Sequence, residues 1–198
     1  MPGEKIDAET RRRQILDTTF LIASRDRLDG VSIRGVAREA GISMGLVSFY
    51  FGSKEGLLAG LLERVVDTIF AHGFQFANEI GSPNDRLFAM VENTLTLVLD
   101  RTGEIHILLD FWLRAGQRSR IRHAIQSGLA AFRESIREIA AEMIAADPAR
   151  FAGTTAEGIA AVAMSTIEGT MFQAVLFPGQ LDKAQFLSAL DALLHGVS

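Results

Sequence analysis

Between Ser32 and Lys54 the chain gathers side chains suited to holding a polyanion. Ser32, Ser43 and Ser48 offer hydroxyls, Tyr50 a phenol, and Arg34 and Lys54 positive charge. Arg34 stands out, because a guanidinium donates two parallel hydrogen bonds to a planar pair of acceptors. Lys54 falls where a helix would start, at the positive end of its dipole. A cation there is unfavourable alone, and a phosphate bound at the same helix end would account for it.

Two short helices must position these groups. Ser32 caps the first, and Ile33, Val36, Ala37 and Ala40 repeat at helical spacing. Gly41 suits a left-handed exit, Ser43 caps again, and a second helix runs through Leu46, Val47, Phe49, Tyr50 and Phe51. Two helices joined by a short Gly-containing turn form the helix-turn-helix of DNA-binding proteins, whose second helix enters the major groove. Its leading residues here are Ser43, Met44, Gly45, Leu46 and Ser48. None is Arg, Lys, Asn or Gln, the side chains that hydrogen-bond base edges in pairs. Met44 and Leu46 offer apolar contact, for example to a thymine methyl, and Gly45 lets the helix lie close. Hydrogen-bonded readout then falls to Arg34 or to the N-terminal arm, with DNA shape sharing the work. Phe49 and Tyr50 complete the set of candidate DNA contacts. Arg11, Arg12 and Arg13 cluster at the start of the first helix and read, singly, as solvated surface charges.

The segment resembles the DNA-binding domain of the tetracycline-repressor (TetR) family of bacterial transcription regulators. The resemblance rests on Ser32-Ile33-Arg34, Val36-Ala37, Ala40-Gly41-Ile42-Ser43, Gly45, Tyr50-Phe51 and Ser53-Lys54-Glu55-Gly56-Leu57-Leu58. It implies a phosphate-contacting role at Tyr50, and a homodimer formed by the last two helices pairing with their twofold mates. One departure is local: where the family often closes its first helix with Gly, this chain has Arg25-Asp26-Arg27-Leu28-Asp29.

The chain has 198 residues, 48% of them apolar, only four prolines and no cysteine. That predicts an all-α protein with a real core and no disulfide or cysteine-held zinc. The N-terminal stretch is charged and lacks a signal peptide's apolar core, and no apolar run reaches the ~18 residues of a membrane span. A cytoplasmic protein without membrane association is expected. The net charge of −4 conceals an asymmetry: residues 1–54 carry nine Lys/Arg against seven Asp/Glu, and the rest eleven against seventeen. A mildly basic head on an acidic body suits DNA binding if its cations share a face.

Helix 1 is expected from Glu9 to about Ser24, and a long helix from the Ser53 cap to near Ile80. Ser82-Pro83 restarts the chain, Gly103 breaks it, and Gly116 ends a helix holding Phe111 and Trp112. Asp147-Pro148 stops the next, Thr154 with Glu157 forms a capping box, and Asp182 with Gln185 opens the last. The reading is an N-terminal three-helix helix-turn-helix domain over residues 1–52 and a six-helix ligand-binding and dimerisation bundle over 53–198.

Within the bundle, Phe70, Phe74, Phe111, Trp112, Met143, Met164 and Met171 could line an apolar pocket, although such residues more often form plain core. Polar groups in apolar helices mark a pocket better: Glu168, with Gln173 nearby, and Arg114. Phe172, Val175, Leu176, Phe186, Leu190 and Leu193 exceed what one bundle side needs and suit the dimer interface. Gly41–Gly45 spells G-x-S-x-G, but a helix precedes the serine where a nucleophile elbow needs a strand. His72, His106, His123 and His195 lack metal-ligand spacing, and no cofactor fingerprint is present. The expected function is a ligand-responsive, non-enzymatic repressor, released from a palindromic double-stranded operator by a small, mostly apolar effector. The alternative is a helical hydrophobe-binding protein or small helical enzyme with a vestigial head.

Overall fold

Capping side chains punctuate the first half of the chain. In the computed structural model, which describes residues 7–71, 81–115 and 119–195, Asp7 accepts from the Thr10 amide at 2.9 Å and opens α1 (Ala8–Gly30). Ser32 accepts from Gly35 at 3.0 Å and opens α2 (Ile33–Ala40); Ser43 accepts from Leu46 at 3.1 Å and opens α3 (Met44–Phe51). Ser53 accepts from Gly56 at 3.2 Å at the head of α4 (Lys54–Val66), which passes into a π-helical turn, Asp67–Ala71. Then follow α5 (Pro83–Asp100), α6 (Thr102–Ala115), α7 (Ser119–Ala146), α8 (Ala156–Leu176) and α9 (Lys183–His195). The described residues contain these nine α-helices and no strand.

They fall into two compact units, one drawn from 1–65 and 106–125, the other from 66–105 and 126–198. Most of α6 therefore belongs to the same unit as the helix-turn-helix, across the expected division at residue 52, and bonds to the end of α1. In the first unit α1 packs on α2 and α2 on α3, around Leu16, Ile22, Leu28, Val36, Val47, Leu61 and Phe111. The turn between α2 and α3 depends on Gly41 (φ 66°, ψ 32°), whose conformation lets Ile42 donate back to the Ala37 carbonyl at 3.0 Å.

In the second unit α5 packs against α8, α9 and the π-helical turn. Phe70, Leu87, Met90, Phe132, Ile136 and Met171 fill its interior, and the rings of Phe70 and Phe132 lie 5.0 Å apart. The buried hydroxyls of Thr94 and Thr170 donate to carbonyls one turn earlier, so neither is left unpaired.

Several boundaries differ from the expected ones. Arg101 caps α5, and Gly103 lies in the first turn of α6 instead of breaking the helix. Thr155, not Thr154, caps α8 through the Gly158 amide, and Glu157 pairs with Arg133 rather than closing a capping box. The long helix after Ser53 is described only to Ala71, so its extension to Ile80 lies outside the described residues. Helix α8 is long and apolar enough to cross a membrane, by length and composition. Its packing against α5 uses part of that apolar surface.

Helix α1 runs six residues beyond its expected end at Ser24, through a break at Arg27 (φ 63°, ψ 177°). This backbone region is essentially reserved for glycine and costs about 1–3 kcal/mol for other residues. Arg27 lies within the stretch Arg25–Asp29, where the resemblance led to the expectation of a closing Gly. Its 3.9 Å ion pair with Asp110 is exposed on the arginine side and worth little. Arg27→Gly is expected to raise stability by about 1 kcal/mol after the entropy gained by the unfolded chain is counted. Urea unfolding of both proteins checks this; an unchanged or lower midpoint would contradict it.

Candidate nucleic-acid interface and effector site

Around α3 the structure sorts the predicted DNA contacts into capping groups and outward-facing ones. Ser32 and Ser43 spend a lone pair on their helix starts and keep an O–H to donate. Arg34 is exposed in the first turn of α2. Val47 is buried and anchors α3, while Leu46, Ser48 and Tyr50 are half-buried. Gly45, Met44 and Phe49 are exposed, Phe49 to 81%.

Lys54 has an intramolecular partner that its sequence position did not announce. Its Nζ donates to the Asp29 carbonyl at 3.1 Å, tying the start of α4 to the end of α1. Two N–H donors remain for a phosphate. The arginines of α1 are paired: Arg11 with Gln14, Arg12 with Glu63 and over the Phe51 ring, and Arg13 with Glu9. Arg12 and Arg13 are exposed and Arg11 is half-buried.

Beneath this surface lies a cluster that sequence reasoning missed. Asp110 on α6 is only 7% exposed. One carboxylate oxygen accepts from the Leu28 amide at 3.1 Å, next to the Arg27 break, and the other from Arg114 Nε at 3.2 Å. Arg114 also clamps Asp29 through both terminal nitrogens, at 2.7 and 3.0 Å. Hydrogen bonding to Asp29 above all raises the Arg114 pKa. Arg114, expected to orient a ligand, is thus engaged by two carboxylates. An aspartate alone in the apolar run Ile107–Leu113 was the available signal.

The other pocket candidates are distributed over both units. Phe111 and the half-buried Trp112 belong to the first. Phe70, Met164 and Met171, all buried, and half-buried Glu168 belong to the second, while Phe74 lies outside the described residues. Burial pushes the Glu168 carboxyl pKa up, opposed by the charge of Arg133. Within the second unit a cleft of about 240 Å³ opens among Leu87, Val91, Phe151, Ile159 and Val162, with Arg150 on its lining; of the pocket candidates only Met143 lines it, together with the interface candidates Leu190 and Leu193. Of the interface candidates Phe172, Leu176 and Leu193 are exposed, and Val175, Phe186 and Leu190 half-buried. No group of three or more His, Cys, Asp or Glu suited to a metal ion occurs among the described residues.

Comparison with known proteins follows this geometry. A family model described as bacterial regulatory proteins, tetR family, matches residues 15–61, and one described as BetI-type transcriptional repressor, C-terminal, matches residues 83–197. The HTH-type transcriptional regulator BetI of Burkholderia thailandensis is 29% identical over 175 residues, covering 88% of this chain and 86% of its own. A transcriptional regulator from Pseudomonas aeruginosa has the same fold, with a TM-score of 0.85 at 21% identity over 97% of this chain and 94% of its own. A regulator from Saccharomonospora viridis, solved in complex with choline, has a TM-score of 0.77 at 21% identity, over 95% of this chain and 97% of its own.

Two measurements test the site. Asp110→Ala leaves the Leu28 amide and Arg114 without their acceptor and is expected to cost about 3 kcal/mol in urea unfolding. A loss under 1 kcal/mol would show that the cluster is not needed. Because burial raises the Glu168 pKa, its contribution favours folding below the ordinary carboxylate range and is lost as pH rises through the shifted value. Glu168→Gln should therefore raise the melting temperature at pH 7 and leave it nearly unchanged at pH 4; equal shifts at both would refute the burial effect.

Proposed function

The chain belongs to the TetR family of bacterial regulatory proteins, with a BetI-type C-terminal part, and we propose that it is a non-enzymatic repressor, released from a palindromic operator by a small effector. It acts in the cytoplasm, where the operator is. The observation that carries the reading is α3: capped at Ser43, anchored by buried Val47, and exposing Met44, Gly45 and Phe49. Arg34 reads base edges from α2, while Ser32, Tyr50 and Lys54 hold phosphates. Arg34→Ala is expected to lose about 1–3 kcal/mol of discrimination between operator and scrambled duplex. Lys54→Ala should weaken both duplexes alike and lower the slope of log K against log salt by about one. Equal discrimination in wild type and Arg34→Ala, or an unchanged salt slope in Lys54→Ala, would overturn these assignments.

Reading a palindrome needs two copies of α3 about 34–36 Å apart, or a multiple of that spacing. The second copy pairs through α8 and α9, where Phe172, Leu176 and Leu193 are exposed. Gly169 supports this choice: a Cβ built on it meets nothing within 4 Å, so this fold by itself does not require glycine in mid-helix. Gly169→Leu should fold normally yet shift the protein toward monomer in analytical ultracentrifugation at micromolar concentration, as should Phe172→Asp. Dimers of both variants would place the interface elsewhere.

The effector is mostly apolar and enters the body of the protein, where Phe70, Met164 and Met171 supply apolar surface and Glu168 a carboxylate. The choline in the Saccharomonospora viridis structure makes that cation the first probe, since Glu168 suits a positive head group. Choline should raise the wild-type melting temperature and weaken operator binding, and Glu168→Gln should blunt both effects. A wild-type response retained in full by the variant would remove Glu168 from the effector site.

A further inference from the structure

Helix α3 exposes what a helix in water usually hides. Phe49 is 81% exposed and Met44 54% exposed. By helical geometry Gly45 and Phe49, four residues apart, lie opposite the buried Val47, with Met44 and Ser48 on one flank. The Phe49 ring meets Tyr50 edge-on, with centroids 5.4 Å apart, so its position is braced while its outer surface stays open. Gly45 adds a second observation: a Cβ placed there would meet nothing closer than Ser43 Oγ at 3.9 Å. Alanine would fit and favour the helix, so the fold itself does not require glycine. Space kept clear above a backbone, beside an exposed aromatic ring, suits an object outside the chain that comes close and is apolar where the ring meets it.

The major groove offers one apolar feature, the C5-methyl of thymine. Ser48 is the only side chain of α3 on this face able to hydrogen-bond a base. We propose that Phe49 is a specificity-determining residue that reads thymine by packing against its C5-methyl, with Gly45 admitting the duplex close to the α3 backbone. This deepens, and rests on, the reading of α3 as the major-groove helix. Cytosine lacks the methyl and presents an amino group, which an apolar ring leaves unpaired. Discrimination at these positions therefore comes from apolar contact, while Arg34 works through hydrogen bonds.

The full-length chain is used to enrich a duplex from a randomised pool, and each thymine of the enriched sequence is replaced in turn by deoxyuridine. This deletes a methyl and leaves base pairing unchanged. Wild type should bind about fourfold more weakly per methyl lost, at one or two positions in each half-site. Phe49→Ala should bind the thymine duplex more weakly and no longer distinguish thymine from uracil at those positions, while Phe49→Leu keeps part of the discrimination. Melting curves of both variants establish that they are folded. Wild-type indifference to every replacement, or the full thymine-to-uracil ratio surviving in folded Phe49→Ala, overturns the proposal while DNA binding stands. Failure to enrich any duplex overturns the DNA-reading assignment and this inference together.

Discussion

Asp110 puts a carboxylate where the first compact unit excludes water, and its surroundings answer that charge. An unpaired buried carboxylate would cost more than most single interactions return. Here it accepts from the Leu28 amide and from Arg114, and Arg114 carries the connection on to Asp29. Lys54 donates to the carbonyl of that same Asp29. One charge on α6 is thereby linked to the end of α1, where the chain turns into the helix-turn-helix, and to the start of α4. The strained backbone at Arg27 sits beside this set of bonds, which hold Leu28 and Asp29, the two residues that follow it. Strain of this kind persists where neighbouring bonds over-determine the conformation.

Helix α3 divides its side chains in the opposite way to a core helix. Only Val47 is fully buried, and the Ser43 cap at one end and Gly52, whose amide donates to the Ser48 carbonyl, at the other leave the helix short and well defined. A brief element with little buried surface depends on its neighbours for stability. The Gly41 turn, the packing on α2 and the Arg12–Phe51 contact supply that support. Met44 and Phe49 stay outward, and apart from the edge-on contact of Phe49 with Tyr50 their apolar surface is open.

In the second unit, α8 serves two kinds of surface. Met164, Ile167 and Met171 face inward, whereas Val162, Phe172 and Leu176 are exposed. Nearly uniform apolarity follows from that double service, and it explains why composition alone lets α8 pass for a membrane span. Glu168 interrupts the pattern, half-buried and with its charged form disfavoured by desolvation.

The local signals survived translation into structure because they act within a single turn. Ser32, Ser43, Ser53, Ser82 and Asp182 each cap the helix that immediately follows, and Gly41 closes the helix before it. Such contacts span three or four residues, so the amino-acid order determines them almost unaided, and the helix-turn-helix was legible for that reason. The cap at Thr155 instead of Thr154 shows the margin: two adjacent threonines offer the same hydroxyl, and the final turn before α8 selects one. Asp110 and Arg114 stand four residues apart on α6, a spacing that pairs them locally. Asp110 reaches the Leu28 amide across 82 residues and Arg114 reaches Asp29 across 85, and no spacing rule predicts those contacts. Only the placement of α6 against the end of α1 brings them together. Tertiary structure likewise decided that Arg27 would take a glycine conformation, that Lys54 would meet a carbonyl, and that Phe49 rather than Leu46 would stand open to its surroundings. Those outcomes depend on which surfaces other helices cover, and neighbouring residues in sequence carry no record of that.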